Sequence, residues 1–369
     1  MDKGQLISEL NSQFAYFLKS VPETREVPHS YSEAQGLLMA SPNLWTCGFP
    51  PGSMWYMYEL TGAKNWKKAA TFNTLKLEEA KNRTNTHDLG FIFFCSYGNA
   101  YRITGIEEYK NVIIEASETL VKRFNSTVGS IRSWDWGKWQ YPVIIDNVMN
   151  LEMLFWASKI TGDSKYKDVA ISHADVTMAN HYRQDGTCCH LVDYDISTGK
   201  PIKKQTYQGL NDESAWARGQ AWGFYGYVMC YRETRNNNYL HFANKIASYI
   251  LDNAPRDMIP FWDYDAPGIP NEPKDASAGA LIASALYELS SYVPAKTKCY
   301  IRSADQILDS LNSEKYRAEI GTNKGFLLLH STGNKPGNKE VDVALNYADY
   351  YYLEALKRQM EIKNSHKKI

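Results

Sequence analysis

The sequence predicts an all-α chain, one domain over residues 1–369, in which helical hairpins close into a toroid. Three observations predict it. A Thr-Gly turn recurs along the chain, at Thr61, Thr104 and Thr161. The segment before each turn is apolar on nearly every side, and the segment after it keeps one polar face. The intervals between turns vary, which suits a closed ring with long loops at one end. An open solenoid keeps a stricter period and needs polar caps.

The hairpins follow in order. "LWTCGFPPGSMWYMYELTG" leads to the first turn, at Thr61. "HDLGFIFFCSYGNAYRITG" leads to the second, at Thr104, and "IDNVMNLEMLFWASKITG" to the third, at Thr161. Each Gly marks a helix end, and a new helix starts within a few residues. "TRNNNYLHFA" at Thr234 keeps the five-residue interval from Thr to an aromatic, with Arg235 in the Gly position. A degenerate copy, "AKTKCYIRSA", begins at Ala295, and "DVALNYADYYYLEALKRQ" supplies a last helix.

Composition narrows the function. The chain has 369 residues, 44% of them hydrophobic, with 41 basic and 41 acidic residues. A formal net charge of zero argues against nucleic acid or an anionic membrane as a general partner. No apolar run reaches the length of a membrane span. "MDKGQLISEL" lacks the apolar core of a signal peptide, so periplasm and cytoplasm both stay open. The 26 Tyr and 10 Trp suit flat ligands such as sugars, although core packing accounts for most such rings. The six cysteines form no disulfide framework. Cys188, Cys189 and His190 resemble a metal cluster only superficially, and no metal site is expected there.

Four upstream helices begin near an aspartate: Asp88, Asp146, Asp212 and Asp275. An aspartate at a helix start ordinarily caps it. In a toroid, however, helix starts converge on one cavity, where two carboxylates make an acid/base pair. Asp146 is the strongest candidate because Val143, Ile144, Ile145 and Val148 surround it with apolar groups. An ionised carboxylate in such a place is usually paired, protonated or functional. "SIRSWDWGKWQYP" places Trp134, Trp136 and Trp139 just ahead of it, as ring-stacking platforms or as loop anchors. In "YQGLNDESAWARGQAWGFYG", Arg218 and Trp222 share a helix face and Trp216 lies partly off it. Arg218 needs an anion, internal or from a substrate. His173 and His181 are expected on the surface of an outer helix. Asp263, Asp265 and Asp275 lack calcium-loop spacing and read as a structural turn. Phosphate-loop, dinucleotide, nucleophile-elbow and zinc-protease motifs are absent from the sequence.

"NTHDLGF", "IIDNVMNLEMLFWAS", "NDESAWARGQAWGFYG", "WDYDAPG…PKDASAGALIASAL" and "NYADYYYLEAL" together resemble the unsaturated glucuronyl hydrolases, glycoside hydrolase family 88. The resemblance covers roughly residues 40–356. It implies an (α/α)6 barrel of six helical hairpins. The implied substrate is a lyase-generated oligosaccharide, favouring glycosaminoglycan types, that ends in a 4,5-unsaturated uronate. The implied reaction is hydration of the C4=C5 vinyl ether, with neither metal nor organic cofactor. Carried over by motif, Asp146 is the acid/base and Asp88 orients or tunes it. His87, His190, Gln208 and Arg218 are polar substrate contacts, with Arg218 suited to the uronate carboxylate. Trp45, Trp134, Trp216 and Trp222 are stacking walls. Ser331 and Lys335, with Lys339, are candidates for a sulfate on the neighbouring sugar, against the reading of a solvated loop.

Lys274 stands where the family commonly has Arg, and Ala348 where Gly is expected. The chain is expected to be a monomer or homodimer. Three rival readings remain. An unsaturated rhamnogalacturonyl hydrolase shares the barrel and the chemistry, but the second acid in "HDLGF" favours the glucuronyl group. An inverting toroid glycosidase would act on saturated sugars. A non-catalytic sugar-binding toroid would show no turnover.

Overall fold

The computed structural model describes residues 3–365. Two compact units are present: Met1–Lys76 with Ala254–Trp262 and Gly268–Ile369, and Leu77–Asn253 with Asp263–Pro267. Among the described residues no helix is long and apolar enough to cross a membrane.

The repeated turn has one construction in both units. Gly62, Gly105 and Gly162 end their helices at φ +68, +67 and +75, the left-handed region that costs a Cβ-free residue least. Arg235 occupies the fourth such position at φ +56, so a side chain is carried where Gly is preferred. The threonine before each of these residues does the same work every time. Thr61, Thr104, Thr161 and Thr234 donate their hydroxyls to the carbonyls of Met57, Ala100, Ala157 and Cys230, four residues back. The same hydroxyls accept the amides of Ala63, Ile106, Asp163 and Asn236, two residues on. Five residues after each threonine, the aromatic ring of Trp66, Tyr109, Tyr166 or Tyr239 is buried and anchors the next helix.

In the first unit the repeat supplies Phe49–Thr61 with Lys64–Leu75 and Ala276–Ser290 with Thr297–Leu311. Lys3–Ser20 and Asn346–Ser365 complete its long helices. Glu354 joins three of these elements, accepting from Tyr56 Oη at 3.0 Å and from Ser284 Oγ. Asp349, wholly buried, accepts the amides of Leu327 and Leu328 at 2.9 and 3.0 Å. Burial pushes its carboxyl up to about 8.

In the second unit the hairpins are Asn99–Thr104 with Glu107–Val121, Leu151–Thr161 with Ser164–Asn180, and Ala217–Thr234 with Asn237–Asp252. The upstream member of the last pair is buried from Ala217 to Cys230, whereas Asn237–Asp252 buries one stripe. That is the expected division between an inner and an outer helix.

Two departures from the sequence reading matter. The helices are accompanied by short sheets, one of them Pro142–Ile144, Leu191–Tyr194 and Pro201–Gln205 in antiparallel order. Strands of three to five residues leave too little alternation to be seen from sequence. The second departure corrects a placement. His173 and His181 are fully buried, not on the surface. His173 Nδ1 accepts the amide of Ile131 at 3.0 Å, and His181 Nδ1 lies 3.1 Å from the carbonyl of Cys189. Both rings serve buried backbone groups. Burial pushes both imidazoles down to about 3.

Candidate active site

The four aspartates at helix starts separate on one criterion. Asp275 is an ordinary cap, accepting the amides of Ser277 and Ala278 and the hydroxyl of Ser277. Asp212 braces a loop, accepting the amide of Thr206 at 3.0 Å. Asp88 stands at the N-cap of Leu89–Phe93 but makes no capping hydrogen bond. Asp146 lies inside the 3₁₀ turn Ile145–Asn150, two residues beyond the cap. The ordinary explanation for an aspartate at a helix start therefore fails for Asp88 and Asp146.

Asp88 is held from its own segment. Thr86 Oγ1 donates to Asp88 Oδ2 at 2.6 Å, and His87 Nε2 lies 3.2 Å from Oδ1. The backbone there is fixed across the loop, with the His87 amide donating to the Ser133 carbonyl at 3.1 Å and Thr86 bridged to Trp134. Asn150 ties this segment to the turn that carries Asp146. Its Oδ1 accepts the Phe91 amide at 2.8 Å, and a Cβ on Gly90 would collide with its backbone.

The sheet brings His190 to Asp146. Ile144 pairs with Leu191, and the Ile145 amide donates to the His190 carbonyl at 3.0 Å. The imidazole is then oriented from behind. Its Nδ1 accepts the amides of Tyr207 and Gln208 at 3.0 and 3.2 Å, so the ring hydrogen sits on Nε2. Nε2 lies 3.6 Å from Asp146 Oδ2. Both atoms are buried, and neither has a hydrogen-bond partner. Two buried polar atoms that face each other without hydrogen-bond partners are costly unless something completes them.

The third wall is the helix Ala217–Thr234. It approaches the Asp146 turn along a stripe of glycines at 219, 223 and 226. A Cβ on Gly219 would lie 2.8 Å from the Trp216 ring and 3.3 Å from Ile145. One on Gly223 would strike Tyr182 Oη, and one on Gly226 would strike Val148. The helix start is clamped from Asp263 and Asp265. Asp263 accepts the Leu210 amide and the Ser214 hydroxyl at 2.9 Å, and Asp265 accepts the Ala215 amide at 2.8 Å. Arg218 is buried with its guanidinium 4.5 Å from the Trp216 ring centroid, and Trp216 in turn lies 4.7 Å from the His190 ring.

Asp88, Asp146, His190 and Arg218 are thus carried by elements in mutual contact. His87 lies against Asp88, and Gln208 contributes its amide to His190. The tryptophans divide. Trp216 touches His190 and Arg218, whereas Trp222 is fully buried against Phe91 at 5.0 Å and packs as core. Trp134 is nearly buried, against Ile144 and Leu191. Trp45 belongs to the other unit, where it packs on Tyr347 at 5.0 Å.

Ser331 and Lys335 also lie in that unit. Ser331 is fully buried; its amide donates to the Val343 carbonyl, and its hydroxyl has no hydrogen-bond partner. Lys335 is engaged by Glu272 at 3.4 Å and sits over Trp262. The adjacent cysteines donate to carbonyls, Cys188 to Cys189 and Cys189 to Leu191 and Gln205. Among the described residues no group of three or more His, Cys, Asp or Glu is placed to hold a metal ion.

Sequence reasoning missed Thr86, Asn150, Tyr207 and the glycine stripe. The stripe had a signal in the sequence, since 219, 223 and 226 fall on one helical face. The other three are ordinary polar residues until the fold brings them together.

The profile of Glycosyl Hydrolase Family 88 matches residues 20–354. The chain belongs to Glycosyl Hydrolase Family 88. It is a glycoside hydrolase with the (α/α)6 barrel fold of that family. Among its family 88 relatives, the unsaturated glucuronyl hydrolase of Formosa agariphila is 43% identical over 365 residues, covering 97% of this chain and 91% of that protein. The unsaturated chondroitin disaccharide hydrolase of Streptococcus pneumoniae is 32% identical, covering 96% of this chain and 91% of that protein. A solved unsaturated glucuronyl hydrolase specific for heparin is similar at a TM-score of 0.95 and 45% identity, over 98% of this chain and 99% of that one. A Streptococcus agalactiae variant solved with dGlcA-GalNAc6S is similar at 0.83 and 30%, over 96% and 90%.

Proposed function

We propose that this protein hydrates the C4=C5 bond of a 4,5-unsaturated uronate at the non-reducing end of a glycosaminoglycan-type oligosaccharide, so that the uronate opens to a 5-keto acid and parts from the neighbouring sugar. The observation that carries the reading is the pair of open polar atoms, Asp146 Oδ2 and His190 Nε2, facing each other at 3.6 Å in a buried setting. The relatives act on such substrates by name, as glucuronyl hydrolases and chondroitin disaccharide hydrolases. One is solved with an unsaturated disaccharide and another with dGlcA-Glc-Rha-Glc. The family match runs through both compact units, which supports one catalytic domain over 1–369.

In this mechanism Asp146 delivers its proton to C4, and positive charge develops on C5 and the ring oxygen. The carboxylate then takes a proton from water as the water oxygen bonds to C5. The hemiketal opens by breaking the bond from C5 to the ring oxygen, leaving a ketone at C5 and a hemiacetal at C1. Collapse of that hemiacetal expels the neighbouring sugar. One water is consumed and Asp146 regains its proton. His190 directs its Nε2–H to the open carboxylate oxygen or to a substrate oxygen beside it. Asp88, fixed by Thr86 and His87, supplies the second negative charge that steadies the cationic stage. Arg218 takes the uronate carboxylate.

The test is loss of the near-UV absorbance of lyase-generated unsaturated disaccharides. Turnover of these, with saturated disaccharides inert, is the expected result. Cleavage of saturated sugars, or no absorbance loss on any unsaturated disaccharide, would overturn the proposal.

A further inference from the structure

The loop ahead of Asp146 carries an aromatic assembly larger than its packing needs. Trp134 and Trp136 lie face to face, with centroids 4.7 Å apart and planes 12° from parallel. Trp139 meets Trp134 edge-on at 5.5 Å. Tyr207 comes from another loop, 5.8 Å from Trp134 and 5.5 Å from Trp136. Trp134 and Trp139 have a structural duty, packing with Ile144 and Leu191. Trp136 and Tyr207 do not share it: they remain 51% and 41% exposed.

Large rings left half in water at one spot mark a contact surface more often than a scattered exposed residue does. This spot is joined to the acid pair on two sides. Trp134 bridges to Thr86, which holds Asp88, and the Tyr207 amide orients His190. The loop's carboxylate is already taken, with Asp135 paired to Arg123 at 2.9 Å and to Arg132 at 3.4 Å. Trp136 and Tyr207 present ring faces, which suit the C–H face of a pyranose. Trp134 is the inner ring, and Trp136 is one stacked layer further out.

Building on the proposed function, we propose that Trp136 and Tyr207 form an outer subsite that stacks a sugar beyond the one bonded to the unsaturated uronate, so that longer oligosaccharides bind better than disaccharides. The experiment compares an unsaturated disaccharide and an unsaturated tetrasaccharide from one lyase digest, with KM and kcat read by absorbance loss. The wild-type chain should show a KM about fivefold lower for the tetrasaccharide, the scale of one good ring contact. Trp136→Ala combined with Tyr207→Ala should bring the ratio of the two KM values to about one, while Trp136→Phe retains most of the preference. Equal KM values in the wild-type chain would overturn the subsite even if no variant folds. So would a folded double variant that keeps the wild-type ratio. A wild-type chain that consumes neither substrate would instead remove the proposed function, and the subsite with it.

Discussion

Two backbone amides aimed at His190 Nδ1 decide which way its ring hydrogen points, and so what the imidazole offers Asp146. The two functions of the ring are separable by substitution. Asn at 190 places an oxygen near the old Nδ1 position and can still receive the two amides, but it has nothing to extend toward Asp146. His190→Asn is expected to keep the thermal midpoint and to lose about 10- to 100-fold in kcat/KM. His190→Ala should lose both, and an alanine variant as stable as the asparagine variant would show that the amides need no acceptor. Asp146→Asn should lower kcat at least about 10²-fold in a chain that remains folded, measured by absorbance loss beside circular dichroism. Asp275→Ala should instead cost about 1 kcal/mol of stability, because that carboxylate is a cap.

At the scale of elements, glycine does two jobs. Along Ala217–Thr234 it removes side chains so that the helix can reach the Asp146 turn. Gly223→Ala meets Tyr182 Oη, and overpacking of this kind costs about 1–3 kcal/mol. The measurement is a denaturant midpoint together with kcat, since the displaced helix also carries Arg218. At three of the hairpin turns glycine supplies the left-handed residue, and Arg235 takes that place in a fourth. Arg235→Gly is expected to raise stability by about 0.5–1 kcal/mol with no change in KM. A lower denaturation midpoint would mean that the Arg235 side chain, 5.5 Å over Tyr231, is worth more than the backbone it strains.

For the whole molecule, buried titratable groups set the response of stability to pH. His173 and His181 are pushed down to about 3 by burial, from an ordinary value of 6.5. The unfolded chain therefore takes up protons below 6.5 that the folded chain refuses. Their contribution is complete above that pH and is lost as the pH falls toward 3. Each bound-proton difference is worth about 1.4 kcal/mol per pH unit. Asp349, raised by burial to about 8, works in the opposite sense, losing stability as pH rises from its ordinary 3.8 toward 8. With two histidines against one carboxyl, the net slope is positive below 6.5 and negative above it. The denaturant midpoint is expected to peak near that pH. His173→Asn, whose amide oxygen can still take the Ile131 N–H, should flatten the acid limb by about one proton. An acid limb unchanged in that variant would exclude His173 as its source.

Helix period, Thr-Gly turns and buried aromatics are local properties, written in runs of ten to twenty residues. The sequence alone therefore determined the hairpins, their order, the inner and outer helices and the family. It also singled out Asp146, since an acid in an apolar run is conspicuous without coordinates, and Asp88 through the motif "HDLGF" that resembles the family's. It could not separate those two from Asp275, because capping is a matter of where one oxygen lies. Nor could it place His173 and His181 inside, pair residues 144 and 191 across a three-residue strand, or sort Trp222 from Trp216. Those outcomes rest on contacts between segments tens of residues apart, and only packing in three dimensions decides which polar atoms find partners and which do not.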